Sequence, residues 1–65
     1  MRITIDEHIL SRLTTSDIID IVELTKRYSK KNRRIENVYR VRGLVIRVVY
    51  TEKGNIVMKT LEVSE

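Results

Sequence analysis

The chain has 65 residues, 42% of them hydrophobic and 34% charged, with no Cys, no Pro, two Gly and a formal charge of +4. That length makes one small domain, whose isolated core is marginal without dense packing or a second subunit, and that composition belongs to a folded globular chain. With no Cys and a lone His8, thiolate and His-cluster metal sites are excluded and no cofactor is expected.

The N-terminal stretch Met1 to Asp6 lacks the apolar core of a signal peptide, and no window approaches the ~20 apolar residues of a membrane span, so the expected location is the cytoplasm. Few Gly and abundant Ile, Val, Lys, Arg and Glu fit a thermophilic source.

Charge is unevenly distributed. Residues 1–25 hold two basic and five acidic side chains, residues 26–47 nine basic and one acidic, and residues 48–65 two basic and three acidic. The central block reads either as a solvated helix end and loop or as an electrostatic footprint for phosphates.

In chain order, Met1 to Ile5 alternates apolar Ile3 and Ile5 with Arg2 and Thr4, which suits an edge strand. Asp6 can cap a helix of about two turns, in which Ile9, Leu10 and Leu13 form the apolar stripe and His8 and Arg12 share a face one turn apart. The Thr14-Thr15-Ser16 break predicts Ser16 as N-cap of a second helix starting at Asp17. Its early acids and late bases match the helix dipole, and Ile18, Ile21, Val22, Thr25 and Tyr28 form its packing stripe. Residues 29–37 read as a basic linker, rich in Lys30, Lys31, Arg33 and Arg34.

From Val38 to Val63, β-branched and aromatic residues broken at Gly43 and at Gly54-Asn55 predict three antiparallel strands. An Arg42-Gly43 turn and an even-length second loop would gather Tyr39, Val41, Leu44, Ile46, Val48, Tyr50, Val57, Lys59, Leu61 and Val63 on one face. The other face would carry Val38, Arg40, Val45, Arg47, Val49, Ile56, Met58, Thr60 and Glu62. The expected fold is α+β: two short N-terminal helices packed on one face of a three- to four-stranded antiparallel sheet.

Two stretches carry a resemblance. His8-Ile9-Leu10-Ser11-Arg12-Leu13, followed by a Ser-Asp helix start, resembles the His-Ala-Leu-x-Arg-Met opening of a family of small proteins of unassigned function, with Ile9 in place of the small Ala. Its companion hairpin is matched by Arg47-Val48-Val49, Glu52-Lys53-Gly54-Asn55, Ile56-Val57 and Thr60. That family is similar to the RelE and BrnT toxins, whose strand pair Tyr39-Arg40-Val41-Arg42-Gly43 also resembles. The resemblance spans residues 8–63. It implies a RelE/BrnT-like domain with a basic, concave sheet face, metal-independent RNA cleavage and an antitoxin-like protein partner. The sequence closes at Glu65, short of the tail in which RelE-type toxins often place a catalytic Tyr or His.

Metal-free RNA cleavage needs a proton acceptor for the 2′-hydroxyl, a proton donor for the leaving oxygen and fixed cations for the phosphorane charge. His8 is the one side chain whose ordinary pKa lies near neutrality, so His8, Arg12 and Arg47 are the catalytic candidates, with Arg40 a further cation that could hold the charge. Equally, a helix-start histidine can be a capping residue and Arg47 a cross-strand ion pair. Lys30, Lys31, Arg33, Arg34, Arg40 and Arg42 are the candidates for nucleic-acid contact, which demands charge more than exact geometry. Tyr28, Tyr39 and Tyr50 read as core. Three functions stay open: an RNA-binding, toxin-like ribonuclease; a non-enzymatic nucleic-acid-binding regulator of plasmid or viral origin, forming a homodimer through the sheet face or an open edge; and a protein-interaction module using Val45, Val49, Ile56 and Met58.

Overall fold

The computed structural model describes residues 1–28 and 33–61. The elements run β1 (Ile3–Ile5), α1 (Glu7–Arg12), α2 (Thr15–Tyr28), β2 (Ile35–Val41), β3 (Leu44–Tyr50) and β4 (Ile56–Thr60). The four strands form one sheet in the order β1-β4-β3-β2. Strands β2, β3 and β4 are the expected antiparallel meander, but β1 pairs with β4 in parallel, so the sheet is mixed rather than antiparallel. The reason is connectivity: an even number of reversals separates β1 from β4, and the two-helix connection carries the chain from one edge of the sheet to the other.

Both helices lie on one face. Ile9 and Leu13 at α1, Ile21 of α2, Ile46 and Val48 of β3, and Ile56 and Met58 of β4 form the buried core, with Ile5, Ile18, Val22, Tyr39, Val41, Leu44 and Tyr50 packed around it. Thr25 is buried with them, its hydroxyl donating to the Ile21 carbonyl one turn back at 2.7 Å. Tyr28, expected in the stripe, is 62% exposed because the helix ends there, beyond the buried turn at Ile21 and Thr25.

The turns set the register. Arg42 and Gly43 have φ of 49° and 80°, the positive pair a two-residue type I′ hairpin requires, and Val41 faces Leu44 across it. The second loop differs from the expected even length. Thr51 N–H donates to the Asn55 carbonyl at 2.8 Å and Gly54 N–H to the Thr51 carbonyl at 2.9 Å, while Gly54 takes φ of 81°. This is a three-residue loop, a type I turn closed by a left-handed glycine. Tyr50 therefore faces Ile56 and Val48 faces Met58. The faces assigned to β4 are reversed: Ile56, Met58 and Thr60 turn to the helices, and Val57 and Lys59 turn away.

Two further boundaries move. The second strand starts at Ile35, inside the stretch read as linker, because Ile35, Asn37, Tyr39 and Val41 alternate with exposed Glu36, Val38 and Arg40. The N-cap of α2 is Thr14 rather than Ser16. Thr14 Oγ1 accepts from Asp17 N–H at 3.1 Å, and Asp17 Oδ2 accepts from Thr14 N–H at 3.1 Å, a reciprocal capping box. The expected strand end at Val63 falls outside the described residues.

Candidate nucleic-acid interface

The face of the sheet away from the helices is built by period-two alternation on each strand. It carries Glu36, Val38 and Arg40 from β2, Val45, Arg47 and Val49 from β3, Val57 and Lys59 from β4, and Thr4 from β1. Arg34, just before β2, joins it through Glu36. Among the described residues four cations, Arg34, Arg40, Arg47 and Lys59, thus stand against one carboxylate, among valines. Lys59 was missed in the sequence because an even second loop assigns it to the apolar face; the Glu52-Lys53-Gly54 signature of a three-residue loop would have recovered it.

Glu36 is shared by two arginines. Its Oε1 receives Arg47 Nη2 at 2.6 Å and Arg34 Nη2 at 2.8 Å. Arg47 is therefore a cross-strand pair, but with Glu36, two residues diagonally from its direct partner Val38. All three side chains are more than two-fifths exposed, so the pairs organise the surface more than they stabilise the fold. Arg40 and Lys59 have no ion-pair partner among the described residues. None of the three tyrosines lies on this face: Tyr39 and Tyr50 pack against the core, and Tyr28 is on α2.

The remaining candidates lie elsewhere. His8 is at the start of α1, on the helix side of the sheet, with its side chain 80% exposed. Its Nδ1 and its backbone N–H both meet Asp6 Oδ1, at 3.0 and 2.8 Å, while Asp6 Oδ2 accepts the Thr60 N–H at 3.3 Å. The His8 backbone and side-chain contacts, then the Thr60 amide, hold the Asp6 carboxyl below its usual range. Asp6, His8, Thr60 and Leu61 line a shallow open depression, where Thr60 Oγ1 is buried without a partner among the described residues.

Arg12 closes α1 and is exposed. Because α1 packs on the opposite side from Arg47, the trio His8, Arg12 and Arg47 is not brought to one place. Arg42 is not on the open face either. It sits in the hairpin turn and its Nε donates to Asp17 Oδ2 at 2.6 Å, tying β2–β3 to the start of α2. That contact, then the Thr14 amide, lowers the Asp17 carboxyl to about 2, and the Asp17 carboxylate in turn raises the Arg42 guanidinium pKa. Arg33 is exposed beside Arg34, and Lys30 and Lys31 lie outside the described residues. Among the described residues no group of His, Cys, Asp and Glu could hold a metal ion, and no helix is long and apolar enough to cross a membrane.

Fold and site together define a two-layer α+β domain, with helices on one face of a mixed sheet and a basic, valine-rich open face on the other. Comparison with protein-family models, with curated proteins and with solved structures returned no match.

Proposed function

We propose that the open sheet face binds the phosphate backbone of RNA without cleaving it. The observation that carries this reading is the segregation of charge. Among the described residues Arg34, Arg40, Arg47 and Lys59 share one face with a single carboxylate, whereas Asp6, Asp17, Asp20 and Glu23 lie on the cap, α1–α2 and helix side. A surface of cations and valines with no aromatic ring suits sequence-independent backbone contact rather than base stacking. The RelE/BrnT-like identity rests on the element order of strand, two helices and three-stranded meander, together with the short motifs that resemble the family.

The toxin-like ribonuclease reading has less support. One phosphate cannot meet His8 and Arg47 when they are on opposite sides of the sheet, and His8 is engaged with Asp6.

The test is fluorescence anisotropy of labelled single-stranded RNA across a salt series, without metal. Four phosphate contacts give a slope of about −2.8 for log affinity against log salt, and each of Arg40→Gln and Lys59→Gln reduces its magnitude by about 0.7. Arg12→Gln, on the other side, leaves the slope unchanged. Gel analysis of the same samples shows intact RNA. Salt-insensitive or absent binding would overturn the reading and favour an apolar protein partner on the valine strip. Cleavage lost in His8→Ala would restore the ribonuclease.

A further inference from the structure

The two edges of the sheet are unlike. β1 is a three-residue strand, too short to template another chain, whereas β2 runs seven residues with no proline, no bulge and no charged side chain turned toward the core. Among the described residues nothing pairs with its outer side, and Val38 at its midpoint is 58% exposed.

The pairing of β2 with β3 fixes which backbone groups are free. A two-residue hairpin makes Val41 and Leu44 a hydrogen-bonded pair, and alternation then assigns Ile35, Asn37, Tyr39 and Val41 to the β3 ladder. The N–H and C=O groups of Glu36, Val38 and Arg40 point outward.

We propose that β2 pairs antiparallel with β2 of a second copy of this chain, with the two-fold axis at Val38. The occupant is argued from complementarity. About Val38, Glu36 faces Arg40 of the second copy and Arg40 faces Glu36, while Val38 meets Val38. On the helix side Ile35 meets Val41, and Asn37 meets Tyr39. This register joins outward-pointing groups to outward-pointing groups throughout. Shifting the centre to Asn37 instead opposes Arg34 and Arg40, which carry like charge. The contact is isologous and closes after two chains. Both open faces then lie on the same side, so the two four-stranded sheets become one continuous surface carrying each cation twice.

The test is sedimentation equilibrium of the whole chain without nucleic acid, so that its result is independent of RNA binding. The wild type is expected to dimerise reversibly. Val38→Pro removes only an outward N–H, leaves the β3 ladder intact and weakens the dimer by at least about tenfold, with the circular dichroism spectrum unchanged. Arg40→Glu and Glu36→Arg each bring like charges together and reduce self-association, but mixed in equal amounts they form a heterodimer because every opposed pair is then opposite in sign. A wild type that stays monomeric at concentrations on the order of 1 mM, a Val38→Pro chain that sediments like the wild type, or a mixture that does not pair would each overturn the proposal.

Discussion

Asp17 shows how much one side chain can organise. Its carboxylate accepts from the Thr14 N–H and from Arg42, so the start of α2 is fastened both to its own cap and to the β2–β3 turn. Since its folded-state pKa is depressed from 3.8 to about 2, the unfolded chain binds the proton more readily. The stabilisation is complete above the unfolded value and lost as pH falls through about 2. Denaturant titrations of the wild type and Asp17→Asn are therefore expected to differ most at neutral pH and to converge toward about pH 2. A deficit equal at every pH would mean that the loss does not depend on the charge of the Asp17 carboxylate, contrary to this account. Asp6 acts in the same direction on α1, anchoring its cap to β4 through the Thr60 amide.

At the scale of elements, caps and turns decide boundaries. A Thr14-Thr15-Ser16-Asp17 run offers three hydroxyls, and local preference does not separate them. The capping box does, because only Thr14 has an acidic residue three positions later to return the bond. Thr14→Ala should cost about 1 kcal/mol, whereas Ser16→Ala, already inside α2 where Ala is the better helix former, should be neutral or stabilise by a few tenths. Thermal denaturation of both variants checks this; equal losses would count against the box. Similarly, the one-residue difference in the second loop transfers Lys59 from core to open face. That reversal followed from expecting an even-length loop in the Glu52 to Asn55 region, when Gly54 instead ends a three-residue loop. The paired cores of β3 and β4 then read as one apolar layer, Ile46 and Val48 beside Met58 and Ile56.

For the whole molecule, a 65-residue chain has few buried side chains, so each matters. Ile46 is fully buried on an inner strand of the sheet between Tyr39 and Thr60, as completely as Ile9, Ile56 and Met58. Ile46→Ala should cost about 2–5 kcal/mol, a large share of the stability of so small a domain. Urea unfolding by circular dichroism is the measurement, and a loss under about 1 kcal/mol would mean that the helices and sheet repack freely. The same sheet has one face closed by helices and the other left to solvent, and it is this division that gives the cations a common surface.

The sequence alone determined the element order, the two helices with the Asp6 cap of the first and the dipole-matched ends of the second, the Arg42-Gly43 turn, and the alternation that separates Arg40 and Arg47 from Tyr39 and Ile46. These depend on neighbours within a few residues, through side-chain period, capping and turn geometry. Only the tertiary structure decided that β1 lies parallel beside β4, that Glu36 binds Arg47, that Arg42 is engaged by Asp17, and that His8 and Arg47 lie on opposite sides of the sheet. Each of these joins residues distant in the chain or reads out the parity of a loop. A change of one residue there inverts a strand without altering any local preference.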